Sequence, residues 1–348
     1  MVRSILWASL ALTPAAVLAR FAFHLGDTGL FALAAAALVP LAWLIGEATE
    51  HAAEHTGPGV GGFLNASFGN APELIIALFA VADGLTEVVR GSITGSIVSN
   101  LLLVTGFALV IGPPSRLDRR SLLSQLGLVA VAVLLYLVPS VPGFHGDPDR
   151  RALAWVTLPV AIVLLVVYAV VTARNLRRHS RAHVAAGVEP AEGGWSLGTA
   201  LAALGLATGG TAIVSEILVH SLEAFAHAAH LSEFFIAAVI VAIVGNTAEH
   251  GGAVVIAHRG KMRLATEIAI SSSAQVALLV AGAVALLSWG LQPLTLAFRP
   301  VELATIGGAA AVVGIAAWDG RSRRWEGALL IALYGAVVGA YYLAGNRY

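Results

Sequence analysis

The chain has 348 residues, 58% of them hydrophobic and only 11% charged, with zero formal net charge and no cysteine. Soluble domains carry about 25% charged residues, so an aqueous globular fold is excluded. Zero net charge gives nucleic-acid binding no electrostatic support, and without Cys there are no disulfides and no thiolate metal ligands.

Apolar runs long enough to cross a bilayer, about 20 residues each, recur along the whole length. This describes an all-α integral membrane protein with almost no extramembrane domain. Eleven segments are expected, at about 4–24, 29–55, 60–83, 86–112, 120–140, 152–173, 196–226, 231–257, 263–289, 300–318 and 325–344. The first has a basic start and a "VLA" before Arg20 that mimic a signal peptide. A retained leading helix over 1–25 is the expectation, because the topology works with it.

Segment two carries Glu47, His51 and Glu54, spaced i, i+4, i+7 on one helical face. Segment three holds "SFGNAPELIIALFA". Gly, Asn, Pro and Glu are each costly inside a membrane helix. Asn70 and Glu73 lie three apart and share a face. Pro72 lacks an N–H and clashes with the carbonyl of Phe68. A kink is expected there, with a loosened carbonyl that only a protein-lined or wet site tolerates. Segment four adds Thr94, Ser96, Ser99 and Asn100. The polar stretch 174–195, rich in Arg and His and with only Glu189 and Glu192 as acids, divides the chain almost in half.

The second half repeats these features. Glu216, His220 and Glu223 restate the E-x3-H-x2-E pattern. The sequence from Gly245, "GNTAEHGG", aligns without a gap on that from Gly69, at an offset of 176 residues. Asn246 then matches Asn70, Glu249 matches Glu73, Ser272 matches Ser96 and Gln275 matches Ser99. Gly251 and Gly252 are expected to loosen this copy in place of a proline. The repeat unit is five helices, first over 26–173 and again over 196–348, joined by 174–195 as a cytoplasmic linker. An odd number of spans inserts the copies in opposite orientations, the inverted-topology architecture of many secondary transporters.

Basic residues orient the chain. Arg3, Arg116, Arg119, Arg120, Arg174, Arg177, Arg178, Arg181, Arg259, Lys261, Arg263, Arg321, Arg323 and Arg324 all fall on one side of an eleven-span layout. That side is read as the cytoplasm. The expected location is the cell (inner) membrane, with the N-terminus cytoplasmic and the C-terminus extracytoplasmic.

Carboxylates, amide oxygens and loosened carbonyls are hard oxygen ligands, of which Ca²⁺ takes six to eight. Glu73 and Glu249, brought together in a low-dielectric centre, need a divalent cation between them or must take up protons. A site that holds either ligand but not both is the physical basis of an antiporter. Ser96, Ser99, Ser272 and Gln275 either complete the ion shell or only let helices pack closely. Glu47 and Glu216 read as a proton path or gate, or else as solvated helix ends, with Glu50, Glu54 and Glu223 interfacial. His250, next to Glu249, is read either as proton-linked or as a packing histidine.

"NASFGNAPELIIALFAVADGL" together with "IVGNTAEH" resembles the Ca²⁺/H⁺ exchanger (cation/proton exchanger) family of the calcium/cation antiporter superfamily. The likeness covers essentially the whole chain. It implies that Glu73 and Glu249 bind the cation and exchange it for protons, with Asn70 and Asn246 in support. Members often carry an acidic segment in the middle loop, which this chain replaces with Arg and His. The expected function is export of cytoplasmic Ca²⁺ against protons by alternating access. The substrates are Ca²⁺ and protons, and neither an organic cofactor nor covalent chemistry is implied. A bilayer and no nucleic acid are the expected surroundings, and homo-oligomers are compatible with the chain.

Other readings compete. Na⁺/H⁺, K⁺/H⁺ or Mn²⁺/H⁺ exchange, or Na⁺/Ca²⁺ exchange, would use the same fold. "HAAEH" is the H-x-x-E-H order of some zinc peptidases, with His51, Glu54 and His55 as candidates. It leaves both Gly-Asn motifs unexplained. A purely structural or receptor role would let Glu73 and Glu249 tolerate Gln.

Overall fold

The computed structural model describes residues 2–186 and 194–345. Residues 187–193, with Glu189 and Glu192, and Arg347 lie outside the described residues. The first half opens with α1 (Val2–Ser9) and α2 (Leu12–Phe21), which together make one apolar span, Ser4–Phe21. It continues with α3 (Asp27–Phe68), α4 (Ala71–Ala82), α5 (Thr86–Ile111), α6 (Arg119–Gly143) and α7 (Arg151–Ala186). The second half holds α8 (Leu197–Ala229), α9 (Glu233–Gly245), α10 (Thr247–His258), α11 (Met262–Gly290), α12 (Pro300–Ala316) and α13 (Arg324–Gly345).

Among the described residues, eight helices are long and apolar enough to cross a membrane. Counting α9 and α10 as one bent span makes nine, and α4 and α12 are shorter apolar helices. The all-helical membrane architecture stands.

The breaks fall elsewhere than expected. The break anticipated near 56–59 does not form, and α3 runs on for 42 residues to Phe68. That is about 63 Å, twice the hydrocarbon thickness of a bilayer. The chain breaks instead at Gly69–Asn70, and Pro72 sits in the first turn of α4. There its missing N–H has no partner to lose, so Pro72 starts a new helix rather than kinking an old one. In the second half, Gly251 and Gly252 lie inside α10. The break comes earlier, at Asn246, where α9 and α10 meet at 56°.

Burial separates the helices into a centre and a shell. The apolar window of α5 is 83% buried and that of α11 is 67% buried, against 22% for α7 and α13. Every residue of α5 from Val88 to Val98 is buried, as expected for a helix enclosed on all sides. Two glycines permit that enclosure. A Cβ on Gly95 would collide with the backbone of Ala238 in α9, and one on Gly327 of α13 would stand 2.6 Å from the carbonyl oxygen of Gly106. Such close approach of small residues is how helices associate without a hydrophobic driving force.

Both central helices contain a π-turn, Ser99–Val104 in α5 and Val276–Val280 in α11. The 176-residue offset superposes these positions almost residue for residue. A third π-turn, Ile236–Val241, occurs in α9. Inserted turns of this kind re-aim side chains and gather at functional positions.

Between α11 and α12 the chain is irregular yet deeply buried, with Leu294, Leu296, Ala297 and Phe298 at 2% exposure or less. Backbone at that depth needs internal partners. Ser288 Oγ accepts from Leu294 N at 2.9 Å, Thr157 Oγ1 from Leu296 N at 3.1 Å and Ser140 Oγ from Phe298 N at 2.9 Å. Three hydroxyls on surrounding helices thus replace the missing ladder.

Candidate functional site

Asn70 and Asn246 hold nearly the same non-helical backbone, at φ −100°, ψ 13° and φ −90°, ψ 10°. Each sits between two helices, and each carbonyl accepts the N–H four residues on, from Leu74 at 3.1 Å and from His250 at 2.9 Å. The turns therefore place Glu73 and Glu249 in the first turn of α4 and of α10. Both acids profit there from the positive end of the helix dipole.

The side chains of the two turns reach across to the other half. Asn70 Nδ2 donates to Gln275 Oε1 of α11 at 2.8 Å. Asn246 Nδ2 donates to Ser96 Oγ of α5 at 2.8 Å and to the Ala242 carbonyl at 2.8 Å. Asn100 Nδ2 donates to Asn246 Oδ1 at 3.2 Å and to Ser272 Oγ at 3.0 Å. Ser272 Oγ donates in turn to Glu249 Oε2. Two hydrogen-bonded groups result, Asn70 with Gln275 and Asn246 with Ser96, Asn100, Ser272 and Glu249, each crossing between the halves.

Glu73 is 4% exposed, and its Oε1 stands 3.3 Å from where a Cβ on Gly245 would be. A side chain at 245 would therefore press on the carboxylate. Glu73 Oε2 and Asn100 Oδ1 are buried and have no hydrogen-bond partner among the described residues. Buried polar oxygens are nearly always satisfied, so these two bare oxygens mark a place for a cation, a proton or water. As a whole residue Glu249 is half-buried, where Glu73 is buried.

The structure therefore brings together Glu73, Glu249, Asn70, Asn246, Ser96, Ser272 and Gln275. Ser99 is buried close by, but its hydroxyl turns back to the Ser96 carbonyl at 3.2 Å. The Nε2 of His250 is buried without a hydrogen-bond partner among the described residues.

Glu47 and Glu216 stand apart from these groups. Glu47 lies 3.6 Å from His51, whose ring also meets Glu54 at 3.2 Å and stacks on Trp195 at 4.9 Å. Glu216 is exposed, and its carbonyl meets the His220 ring, which in turn lies 3.5 Å from Asp83. Among the described residues no three His, Asp or Glu side chains are grouped to hold a metal ion, His51, Glu54 and His55 included.

Sequence reasoning passed over one buried ionic network. Arg90, 2% exposed, makes a bidentate contact with Asp149 at 2.6 and 3.2 Å, and Thr86 Oγ1 donates to the same carboxylate at 3.0 Å. Glu302, fully buried at the start of α12, accepts from Thr94 Oγ1 at 3.2 Å and from the Arg299 N–H at 2.6 Å. Arg299 pairs with Glu87. The available signal was the face formed by Glu87, Arg90 and Thr94, at i, i+3 and i+7 inside an otherwise apolar span.

Comparisons with known proteins place the chain in a family. The chain is 34% identical over 334 residues to a Ca²⁺/H⁺ antiporter of Aphanothece halophytica, covering 89% of each chain. It is 34% identical over 332 residues to the Ca²⁺/H⁺ antiporter ChaA of Bacillus subtilis, covering 92% of this chain and 93% of that one. The solved structure of native YfkE matches with a TM-score of 0.82 at 31% identity, covering 97% of this chain and 99% of that one. These relatives are transporters, which removes the peptidase reading. Residues 27–176 and 199–343 match the family described as sodium/calcium exchanger protein, and the chain belongs to that family.

Proposed function

We infer that this protein is a secondary antiporter that exchanges Ca²⁺ for protons at the Glu73–Glu249 site. The observation carrying this reading is the set of two carboxylates, three asparagine amides and two serines drawn from both halves, with bare oxygens on Glu73 and Asn100. Hard oxygens suit Ca²⁺, and a single divalent ion neutralises both acids at once. When the ion leaves, protons must replace it, because two bare carboxylates in a low-dielectric compartment repel strongly. Competition of this kind couples the two fluxes. The names of the relatives quoted above support the pairing of Ca²⁺ with H⁺.

The wider reading follows the repeat. Eleven spans form one leading helix and two inverted five-helix units, over 26–173 and 196–348, which rock about the site in alternating access. The basic loops face the cytoplasm, the N-terminus is inside and the C-terminus outside. Ca²⁺ leaves the cell as protons enter. Asn70 and Asn246 hold the ion beside the two glutamates, Ser96, Ser272 and Gln275 orient them, and Ser99 borders the site. Glu47, Glu216 and His250 serve proton access. The matched turns at Asn70 and Asn246 and the matched π-turns of α5 and α11 support the repeat.

The test is ⁴⁵Ca²⁺ uptake into proteoliposomes under an imposed pH gradient, with and without Na⁺. Uptake driven by the pH gradient alone, and cut by at least ~100-fold in both Glu73→Gln and Glu249→Gln, is expected. The family description also covers sodium coupling. Uptake that appears only with Na⁺ would therefore move the protein to that branch, and wild-type activity in either Gln variant would overturn the paired-carboxylate site.

A further inference from the structure

Three connections meet at one end of the bundle. The α5–α6 and α12–α13 connections form a short antiparallel bridge at Arg116 and Arg321. Leu117 N donates to the Gly320 carbonyl at 2.8 Å, and Ser322 N to the Ser115 carbonyl at 2.9 Å. Ser322 Oγ accepts from Ser115 N at 2.7 Å. The α10–α11 connection joins them through the ion pair of Arg263 with Asp118. The first loop belongs to one half of the chain and the other two to the second, so this contact ties the halves together.

The tie is electrostatically incomplete. Arg116 and Arg321 are opposed across the bridge, both exposed, and like charges facing each other across strands destabilise the pair. Some neighbouring cations are occupied. Arg263 pairs with Asp118 and Glu267, Arg323 with Asp319 and Glu326, and Arg119 lies 4.2 Å over the Trp318 ring. Among the described residues, Arg116, Arg120, Arg259, Lys261, Arg321 and Arg324 have no carboxylate partner. Helices α6 and α13 also begin here and present the positive ends of their dipoles. Trp318 and Trp325, each 61% exposed, flank the bridge. Exposed tryptophans beside spans mark the level of the lipid headgroups.

We propose that the Arg116–Arg321 bridge is a binding site for the headgroup phosphate of an anionic phospholipid, which fastens the two halves of the chain together at this end. The phosphate supplies the negative charge the bridge lacks, and guanidinium groups match its geometry in bidentate fashion. The acyl chains run down the apolar faces of α6 and α13, which only a lipid, not a free anion, exploits. Basic residues at the membrane surface favour anionic lipids in any case. What is specific here is a facing pair of arginines without acids, on loops from both halves.

The full-length protein in neutral detergent would be titrated with phosphatidylglycerol, phosphatidylcholine or inorganic phosphate, and its melting temperature followed. Phosphatidylglycerol is expected to raise it by about 3 °C or more, and the other two to leave it unchanged. Arg116→Gln/Arg321→Gln should lose at least half of that rise while melting no lower than wild type in detergent alone, because it removes a repulsion. Arg150→Gln/Arg151→Gln, at the opposite end, should keep the full rise. Should the bridge variant fail to fold, the single Arg116→Gln carries the same expectation. An undiminished rise in the bridge variants would overturn the proposal. So would an equal rise with inorganic phosphate or with phosphatidylcholine, the one pointing to a free-anion site and the other to an unspecific lipid effect.

Discussion

The turn before Glu73 and the turn before Glu249 share a backbone and differ in almost everything around it. Their asparagines have matching dihedrals and matching i→i+4 bonds. Yet Glu73 is buried against Gly245, whereas Glu249 is half-buried and held by Ser272. Asn70 reaches a glutamine and Asn246 reaches a serine. The repeat thus supplies two equivalent scaffolds, and unequal neighbours give the two glutamates different surroundings.

The sharpest difference lies at Asn100. Its aligned partner in the second half is Val276, so only one half contributes an amide at this level. Asn100 Nδ2 bridges Asn246 and Ser272. Replacing it with Val makes the halves alike and leaves the buried Asn246 Oδ1 without its donor. An unsatisfied buried polar atom costs about 1–3 kcal/mol, or roughly 5–150-fold. Asn100→Val should lower Ca²⁺ exchange by about that factor while the protein still folds. Unchanged exchange would mean the inequality of the halves resides elsewhere.

Exposure offers a second, smaller contrast. A water-soluble carbodiimide modifies carboxyl groups it can reach, so Glu249 should react several-fold faster than Glu73 in protein free of Ca²⁺. Peptide mapping by mass spectrometry reads both sites at once. Equal rates would erase the difference in access, and faster labelling of Glu73 would reverse it.

Much of this was legible in the sequence because both motifs pair a charged residue with a helix breaker in an apolar run. A kink around Gly69–Pro72 is what the sequence predicts, and a break does fall at Gly69–Asn70, while Glu73 and Glu249 stand out as candidate site residues. The position of the first break was less clear. Gly57, Pro58 and Gly59 look like a stop, yet α3 continues through them to Phe68. The glycine pair at 251 and 252 misled because flexibility permits a bend without demanding one. The π-turns, the hydroxyl-pinned segment before α12 and the Arg90 network could not be read in advance. The pinned segment and the network draw on partners distant in sequence, as with Leu296 N on Thr157 Oγ1 across 139 residues, Arg90 on Asp149 across 59 or Thr94 on Glu302 across 208.

The Arg90 network is the last inequality between the halves. The residue aligned with Arg90 is Thr266, whose hydroxyl bonds back to the Met262 and Arg263 carbonyls at 3.0 and 3.1 Å. The start of α5 is therefore anchored by a buried arginine, whereas the start of α11 has only the exposed Arg263 with Asp118 and Glu267. Burial pushes the Asp149 carboxyl up, but the hydrogen bonds and charge of Arg90, with help from Thr86 and Thr295, outweigh it and hold the group below its usual range. A carboxyl lowered on folding adds stability above its unfolded pKa, about 3.9. That stability is lost as the pH falls through the folded value. Melting temperature in detergent should therefore decline for wild type as the pH drops below about 4. In Asp149→Asn the melting temperature at neutral pH should already be lower, because Arg90 stays buried with its charge unmatched, and the acid-dependent part of the decline should be smaller. A variant that melts like wild type at neutral pH would show that the buried Arg90–Asp149 pair does not hold the start of α5, and this difference between the halves would disappear.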